Sequence, residues 1–221
     1  QQMQFTLSAV HINHGISSNA TTWSQFCCKR SYDYGASIWV AYLHIHKVRG
    51  VSLEASAREQ RYRIFSEVAA DYVVLAHHLD DQAETLLLQL LRGAVIRGLS
   101  GMPAIRQQQQ EHQAKLLRPL LNVSRHQIER YAQCNNLTWT VDESNDDTAY
   151  DRNLLRPETL PVFKTRYINY AKTLTRTSRH LSEASVLLDE LAEIDSERCT
   201  VSGRLDLGSL RQLGALRVKN L

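Results

Sequence analysis

The fold class of this chain is decided by an apolar stretch that leads directly into a helix whose start carries histidine and carboxylate residues. Residues 72–85 read YVVLAHHLDDQAET. The apolar residues 72–76 predict a short buried strand, and a helix is predicted from about Leu79 to Gly93. His77 lies where the strand ends, and Asp81 lies in the first turn of the helix. The segment therefore predicts a strand–helix unit with polar side chains at its junction.

Strand and helix alternate over residues 5–160. Besides this unit, the pattern predicts strands at 5–12, 38–46, 116–121 and 137–141, and helices up to about 32, at 53–70 and after Ser124, where Gln127 completes a capping box. Residues 94–114 are predicted as a loop, with 107–110 as a solvated insertion. This order predicts an α/β fold with a mainly parallel, Rossmann-like sheet and flanking helices.

The C-terminal part follows a different pattern. Pro157 and Pro161 mark a boundary, and residues 164–196 have a helical pattern. We therefore predict an α/β domain over residues 1–160, followed over 161–221 by an α-helical linker and the start of a helical domain.

Composition restricts the class of protein further. With 43% hydrophobic residues in 221, the chain can form a core, and its formal net charge of +3 permits nucleic-acid binding without indicating it. No apolar run approaches the roughly 18 residues of a membrane span, and no signal peptide is recognised, so we expect a cytoplasmic protein with no membrane partner. None of the four cysteines forms a Cys-x-x-Cys pair, which disfavours zinc-ribbon and dithiol chemistry.

Polar side chains follow three of the predicted strands. His11 and His14 follow the first, the His77–Asp81 cluster follows the third, and Asp142, Ser144 and Asn145 follow the last. In parallel sheets, ligands bind beyond the carboxyl ends of the strands. The sequence therefore predicts a site at that edge.

The His77–Asp81 cluster has two interpretations. Histidine and carboxylate groups there can bind a divalent metal, usually magnesium together with nucleotide phosphates, and Asp81 shares a helix face with Glu84. Alternatively, the acidic side chains only complement the helix dipole. The dipole does not account for the two histidines, Gln82 and Thr85 together.

Three groups of arginine and lysine residues are candidates for phosphate or RNA contacts. Arg58, which Glu54 can brace, and Arg61 share one helix face; Arg152 and Arg156 are four apart; and Lys172, Arg176 and Arg179 share a face of the C-terminal helix. For the first and last groups, an ordinary solvated face remains an equal alternative. The acidic run 142–151 could be a solvated turn, but it lacks the Gly and Glu spacing of a calcium-binding EF-hand.

Six segments in register resemble the tRNA(Ile)-lysidine synthetase family. They are HINHGI (11–16), EASAREQRY (54–62), AHHLDDQAET (76–85), RG with GLSGM (92–102), RPLL (118–121) and DESNDDTAYDRNLLR (142–156). Each segment alone is a weak signal, but six in this order over residues 7–161 are highly specific.

The resemblance implies an N-type ATP pyrophosphatase with an adenine nucleotide alpha hydrolase-like fold. Such enzymes use ATP and Mg²⁺ to adenylate C2 of the wobble cytidine of tRNA(Ile) with a CAU anticodon. Free L-lysine then displaces AMP and forms lysidine. The resemblance leaves a homodimer open.

The resemblance also implies roles for individual residues. Asp81 would be the metal ligand and His77 its orienting neighbour, with Arg58 at the phosphate or adenylate. The remaining implied roles are nucleotide binding by His11 and His14, contact with the adenylated intermediate or RNA by Arg152 and Arg156, a substrate pocket at Asp142, Ser144 and Asn145, and RNA binding by Arg61, Lys172, Arg176 and Arg179.

One departure from the family keeps alternatives open. The family's Ser-Gly-Gly-x-Asp-Ser phosphate loop is not found, and the partial echo at 202–206 is interpreted as a turn. We therefore expect a fragment that does not bind ATP normally by itself. The alternatives are a non-catalytic tRNA-binding fragment, a sister tRNA-modifying ATP pyrophosphatase such as a thiolase (which uses Cys-x-x-Cys pairs), and a metal-dependent phosphohydrolase that uses the 77–81 cluster.

Overall fold

The computed structural model describes residues 5–43, 53–108, 110, 112–143 and 151–221. Chain contacts divide it into two compact units. The sheet unit comprises residues 1–75, 105–117 and 129–147, and the helical unit comprises 76–104, 118–128 and 148–221. The domain boundary at 160 and 161 stays a prediction.

The sheet unit contains the strands β1 to β5 and two complete helices. Their bounds are β1 Ser8–Asn13, α1 Ala20–Asp33, β2 Ser37–Tyr42, α2 Leu53–Glu67, β3 Tyr72–Val74, β4 Ile105–Arg106 and β5 Lys115–Leu117. β1 pairs with β2 in parallel over six residues, β3 pairs with β5 in parallel, and the short β4 is antiparallel to β5. The predicted α/β fold with a mainly parallel sheet is confirmed.

The core of the sheet unit lies where α2 packs against the strands. Phe65 of α2 is buried with Val73 of β3 and Leu116 of β5, and Ile64 is buried against Ala41 of β2. Adjacent positions of one helix thus reach both pairs of strands, which fixes the position of α2 along the sheet.

The helical unit contains the remaining elements. They are α3 Leu79–Leu91, α4 Ile96–Leu99, the first turn of α5 Arg125–Cys134, α6 Asp151–Leu154, a π-helical turn Leu155–Thr159, α7 Leu160–Arg166, α8 Tyr170–Cys199, a hairpin of β6 Thr200–Val201 and β7 Arg204–Leu205, α9 Leu207–Gln212 and α10 Ala215–Asn220. Leu79 and Ala83 of α3 are buried against Ala171 of α8. Fully buried Asp195 accepts two hydrogen bonds from Arg217, which attaches α10 to α8.

Several boundaries differ from the predictions. The predicted strand at 137–141 is wrong: after α5 the chain turns at Asn136 (φ +51°) and no strand pairing forms over residues 137–143. Those residues alternate like a strand, but Trp139 and Val141 remain exposed, and no strand among the described residues pairs with them. The strand predicted at 116–121 ends at Leu117, before Pro119, which has no N–H for a strand ladder.

The predicted loop and the predicted C-terminal helix also need correction. Residues 94–114 contain α4 and β4, and Gln108 is half-buried because its amide donates to the carbonyls of Phe65 and Ala114. The helix predicted at 164–196 is interrupted between α7 and α8. The 202–206 segment is a turn, as predicted, with Ser202 and Gly203 both at positive φ between β6 and β7. No helix among the described residues is long and apolar enough to cross a lipid bilayer.

The side-chain amide of Gln82 holds the loop after α4. Its nitrogen donates to the carbonyl of Met102 and its oxygen accepts from the N–H of Met102, both at 2.7 Å. Gly101 beside it has φ +69°, and an added Cβ would lie 2.5 Å from Oγ of Ser178 and 3.0 Å from Oε1 of Gln82. A side chain at position 101 would therefore push the loop off α3 and α8.

We expect Gly101→Ala to lower the free energy of unfolding more than Gly35→Ala does. Both glycines have similar positive φ, at +69° and +65°, but nothing lies within 4 Å of an added Cβ at Gly35. The backbone conformation alone costs about 1–2 kcal/mol at each position, and the steric contact at Gly101 adds about 1–3 kcal/mol. Urea unfolding of both variants measures the difference. Equal losses of unfolding free energy in the two variants would show that the loop after α4 can shift to accommodate a side chain at position 101.

Candidate functional site

The start of α3 is fixed by a reciprocal pair of hydrogen bonds. The backbone N–H of His78 donates to Oδ2 of Asp81 at 2.9 Å, and Nδ1 of His78 accepts from the N–H of Asp81 at 3.4 Å. Oδ2 of Asp80 accepts from the N–H of Arg125 at the start of α5. The two acidic side chains thus have a structural role, which the helix-dipole interpretation anticipated in part. Half-buried His77 directly precedes this cap.

Four charged side chains form a cluster beside this cap, which we call the charge cluster: Asp81, Glu84, Arg152 and Arg156. Nε and Nη2 of Arg156 donate to the two carboxylate oxygens of Glu84 at 2.8 and 3.1 Å. Nη2 of Arg156 also lies 3.3 Å from Oδ1 of Asp81, and Nε of Arg152 lies 3.5 Å from Oε2 of Glu84. The charges of two carboxylates and two guanidinium groups balance.

Burial makes this balance necessary. Glu84 is only 2% exposed and Asp81 is 8% exposed. An unpaired carboxylate at such depth would be strongly unfavourable. Burial acts to lower the pKa of Arg156, but hydrogen bonds and charges from Glu84, and then Asp81, outweigh it and raise that pKa above its ordinary value. Arg156 therefore stays a cation in the cluster.

The backbone that carries Arg156 is unusual. Arg156 lies in the π-helical turn between α6 and α7, next to Pro157. Pro157 has no N–H for the ordinary helical bond, so a wider turn relieves the mismatch. Arg152, one turn earlier, donates to the hydroxyl of Thr85, which itself donates to the carbonyl of Asp81. Both arginines are thereby directed at the first two turns of α3.

A second group of predicted residues lies at the end of β1 in the sheet unit. Buried Asn13 donates to Oγ of Ser24 and accepts from the N–H of Gly15, which holds the turn after β1. Burial lowers the pKa of His11, and the pKa of His14 is lowered by burial and then by the charges of Arg61 and His11. The structure thus brings His11, His14 and Arg61 close together.

Arg58 does not accompany Arg61, although both were predicted to present their guanidinium groups together. It donates to the hydroxyl of Tyr62 at 3.4 Å and lies over the ring of Tyr62, in a cleft that Arg61 does not line. Glu54 belongs to α2, but its side chain lies outside the described residues.

The other predicted site residues that the structure describes are exposed. Asp142 is exposed in the sheet unit, and its neighbour Glu143 accepts a hydrogen bond from Ser17, which lowers the pKa of Glu143. Ser144 and Asn145 lie outside the described residues. Exposed Lys172, Arg176 and Arg179 lie on α8, where Arg179 forms an ion pair with Glu183.

Glu84 was not among the predicted site residues, although it makes most of the ionic contacts in the charge cluster. The available signal was its three-residue spacing from Asp81, which places both on one helix face. Tyr170 was also missed: burial and then the charges of Asp80 and Glu84 raise its pKa. No group of three His, Cys, Asp or Glu side chains among the described residues could hold a metal ion alone.

A mainly parallel α/β sheet with histidines after β1 and a capped, carboxylate-bearing α3 defines a nucleotide-binding class of α/β protein. A family model confirms the class at residues 1–163. The chain belongs to the PP-loop domain family.

Curated relatives agree with the resemblance read from the six segments. The chain is 49% identical to a tRNA(Ile)-lysidine synthase of Nitrosomonas europaea over all 221 residues, and 42% identical to one of Chromobacterium violaceum over 96% of its length. It covers 48% of each of these two proteins, so it spans about half the length of the curated relatives it matches. The resemblance to this family is confirmed.

A solved structure supports the fold. The U34-tRNA thiolase NcsA from Methanococcus maripaludis matches with a TM-score of 0.67 over 80% of this chain and 62% of that chain. Its sequence identity is 15%, so the similarity concerns the fold alone.

We expect Glu84→Gln to lower the free energy of unfolding by about 2–3 kcal/mol. The substitution leaves two guanidinium groups with Asp81 as their only carboxylate in the cluster, and both guanidiniums retain some solvent, which moderates the cost. Glu183→Gln is the control, since it breaks an exposed ion pair and should cost under about 0.5 kcal/mol. Denaturant unfolding that gave equal costs for both would contradict the structural role of the cluster.

We expect stability to fall below about pH 6.5 partly because of His14. Its pKa is lowered in the folded protein, so below its ordinary pKa the unfolded chain binds the proton more readily, and stability falls with pH until the folded-state pKa is passed. His14→Gln should therefore flatten the dependence of unfolding free energy on pH below that point. Measurements at pH 8, where both side chains are neutral, report the packing change alone. If the plots of unfolding free energy against pH ran parallel for the wild type and for His14→Gln, the contribution of His14 would be excluded.

Proposed function

We propose that the protein that carries this chain ligates lysine to C2 of the wobble cytidine of tRNA(Ile) and forms lysidine. The cytidine oxygen at C2 displaces pyrophosphate from the α-phosphate of ATP. An amine of free L-lysine then bonds to C2, AMP leaves with the oxygen, and the amine loses a proton. Membership of the PP-loop family and the names of the curated relatives support this proposal.

The charge cluster is the observation that carries the proposal. Its arginines are directed by a π-helical turn and by Thr85, yet their side chains are 26% and 28% exposed, so an anion can approach them. Of the contacts that Arg156 makes within the charge cluster, the one to Asp81 is the longest, at 3.3 Å against 2.8 and 3.1 Å to Glu84. A phosphate oxygen would therefore displace Asp81 from Arg156 first.

That exchange gives each member a role. Arg152 and Arg156 would stabilise the negative charge that develops on the phosphate during adenylation, and later hold the adenylated cytidine. Glu84 keeps Arg156 oriented while its second interaction changes from Asp81 to phosphate. His77, next to the cap, orients Asp81 or the nucleotide.

Asp81 fits a magnesium site of the kind that substrate completes. One of its carboxylate oxygens accepts a hydrogen bond in the helix cap, and the other, among the described residues, has the long contact with Arg156. Magnesium is commonly bound by one or two carboxylates, with phosphate and water as its other ligands. When bound, Mg²⁺ would neutralise phosphate charge.

The remaining proposed roles belong to residues of the sheet unit and of α8. Burial lowers the pKa of His11 and of His14 and so favours the neutral imidazole, which can donate or accept a hydrogen bond without adding charge. Arg58 would meet phosphate, and Asp142, Ser144 and Asn145 would shape the pocket for lysine and cytidine. Arg61, Lys172, Arg176 and Arg179 would contact the tRNA backbone, and a tRNA substrate places the reaction in the cytoplasm.

The test uses the complete gene product with ATP, Mg²⁺, labelled lysine and an unmodified tRNA(Ile) transcript with a CAU anticodon. We expect pyrophosphate release that requires the tRNA, and incorporation of lysine into it. Asp81→Asn and Arg156→Lys should each lower kcat/KM by about 100-fold or more, because each removes charge or geometry at the phosphate. Asp189→Asn, which breaks a surface ion pair with Arg97, is the control with unchanged activity.

Three outcomes would contradict the proposal. Phosphate release without tRNA would indicate a phosphohydrolase, and sulfur incorporation would indicate a thiolase. Binding of tRNA without pyrophosphate release would indicate a non-catalytic RNA-binding protein.

A further inference from the structure

A polar cleft of about 640 Å³ lies in the sheet unit between α2 and the segment that contains β4. Four charged side chains line it, namely Arg58, Glu59, Arg63 and Arg106, together with the amides of Gln60 and Gln113. The charged lining therefore sums to +2. The charge cluster belongs to the helical unit, so the two sets of residues do not overlap.

Two guanidinium groups converge on one tyrosine ring in this cleft. The guanidinium carbon of Arg58 lies 5.2 Å from the centre of the Tyr62 ring, and that of Arg106 lies 5.9 Å from it. Tyr62 is itself held by an edge-to-face contact with buried Phe65. The ring is therefore a fixed platform for both cations.

No compensating carboxylate contacts either guanidinium group among the residues that the structure describes. Among the described residues, neither Arg58 nor Arg106 has a carboxylate within 4 Å, whereas Arg63 has only an exposed contact of 3.9 Å with Glu67. Like charges that share one platform repel each other. In the charge cluster, by contrast, every guanidinium has a carboxylate. A negatively charged ligand would supply what the cleft lacks.

The chemistry of the cleft favours a phosphodiester strand. Guanidinium and amide groups are the usual protein contacts to the phosphates and sugars of nucleic acids. Arg106 lies in the segment 94–114, which was predicted as a loop, so no sequence motif pointed to it.

We infer that the Arg58–Tyr62–Arg106 cleft binds the phosphate backbone of the substrate RNA, so that the phosphate that Arg58 meets belongs to the RNA and not to ATP. The inference rests on the proposed function for the identity of that RNA. Arg106 and Arg63 would position the strand without touching the reacting atoms. Such contacts contribute affinity that depends strongly on salt.

The test measures the affinity of the complete gene product for the tRNA(Ile) transcript over a range of salt concentrations. Arg106→Met keeps the aliphatic stem over Tyr62 and removes the charge. We expect it to weaken binding by about threefold to tenfold and to reduce the slope of log affinity against log salt by about 0.7–0.9, the value of one phosphate contact. Arg106→Lys should keep most of the slope. Lysine incorporation at saturating tRNA and the KM for ATP should not change.

Two further variants control for folding and for total charge. Arg63→Met repeats the test on an exposed side chain that does not touch the Tyr62 platform. Arg130→Met removes one exposed positive charge of α5, outside the cleft, and should leave affinity and slope unchanged. Thermal unfolding of each variant confirms that it is folded.

Each result decides the inference. An unchanged salt slope in both Arg106→Met and Arg63→Met overturns it. A raised KM for ATP with an unchanged slope also overturns it, since the cleft would then bind nucleotide. If the wild type binds RNA through these arginines but forms no lysidine, the proposed function fails and the cleft remains an RNA site.

Discussion

Burial of the Glu84 carboxylate is the constraint on which the helical unit depends. A carboxylate at that depth requires cations, and the cations come from a segment about 70 residues later in the chain. Arg152 and Arg156 meet that need only if α6 and the π-helical turn lie against the first two turns of α3. One electrostatic requirement therefore fixes the packing of these elements and gathers the residues that can meet a phosphate.

The arginines of the two units differ in what contacts their guanidinium groups. In the charge cluster the guanidiniums are neutralised, so binding a phosphate means exchanging one anion for another. The contact of Arg156 with Asp81 is longer than its contacts with Glu84. In the cleft over Tyr62, two guanidiniums have an aromatic ring in place of a carboxylate. A neutralised cluster suits selective chemistry, whereas cations that no described carboxylate neutralises suit contacts whose strength varies with salt.

Local signals predicted much of the fold. The apolar stretch 72–76 and the capping pairs are decided within a few residues, and the predicted box at Ser124 and Gln127 forms as expected, with hydrogen bonds in both directions. The strand predicted at 137–141 failed because strand formation needs a partner, which no local pattern specifies. The interruption between α7 and α8 and the burial of Gln108 likewise depend on contacts with distant segments.

The amino-acid sequence by itself determined the α/β class, the family resemblance, and the residue types at the ends of the strands, because these depend on periodicity and on short motifs. Tertiary structure decided which charges meet. It paired Arg156 with Glu84, placed Arg61 near His14, and brought Arg58 to Arg106 over one ring. Electrostatic interactions act through space over a few ångströms, so residues far apart in the chain become partners only when folding has set their distance and burial.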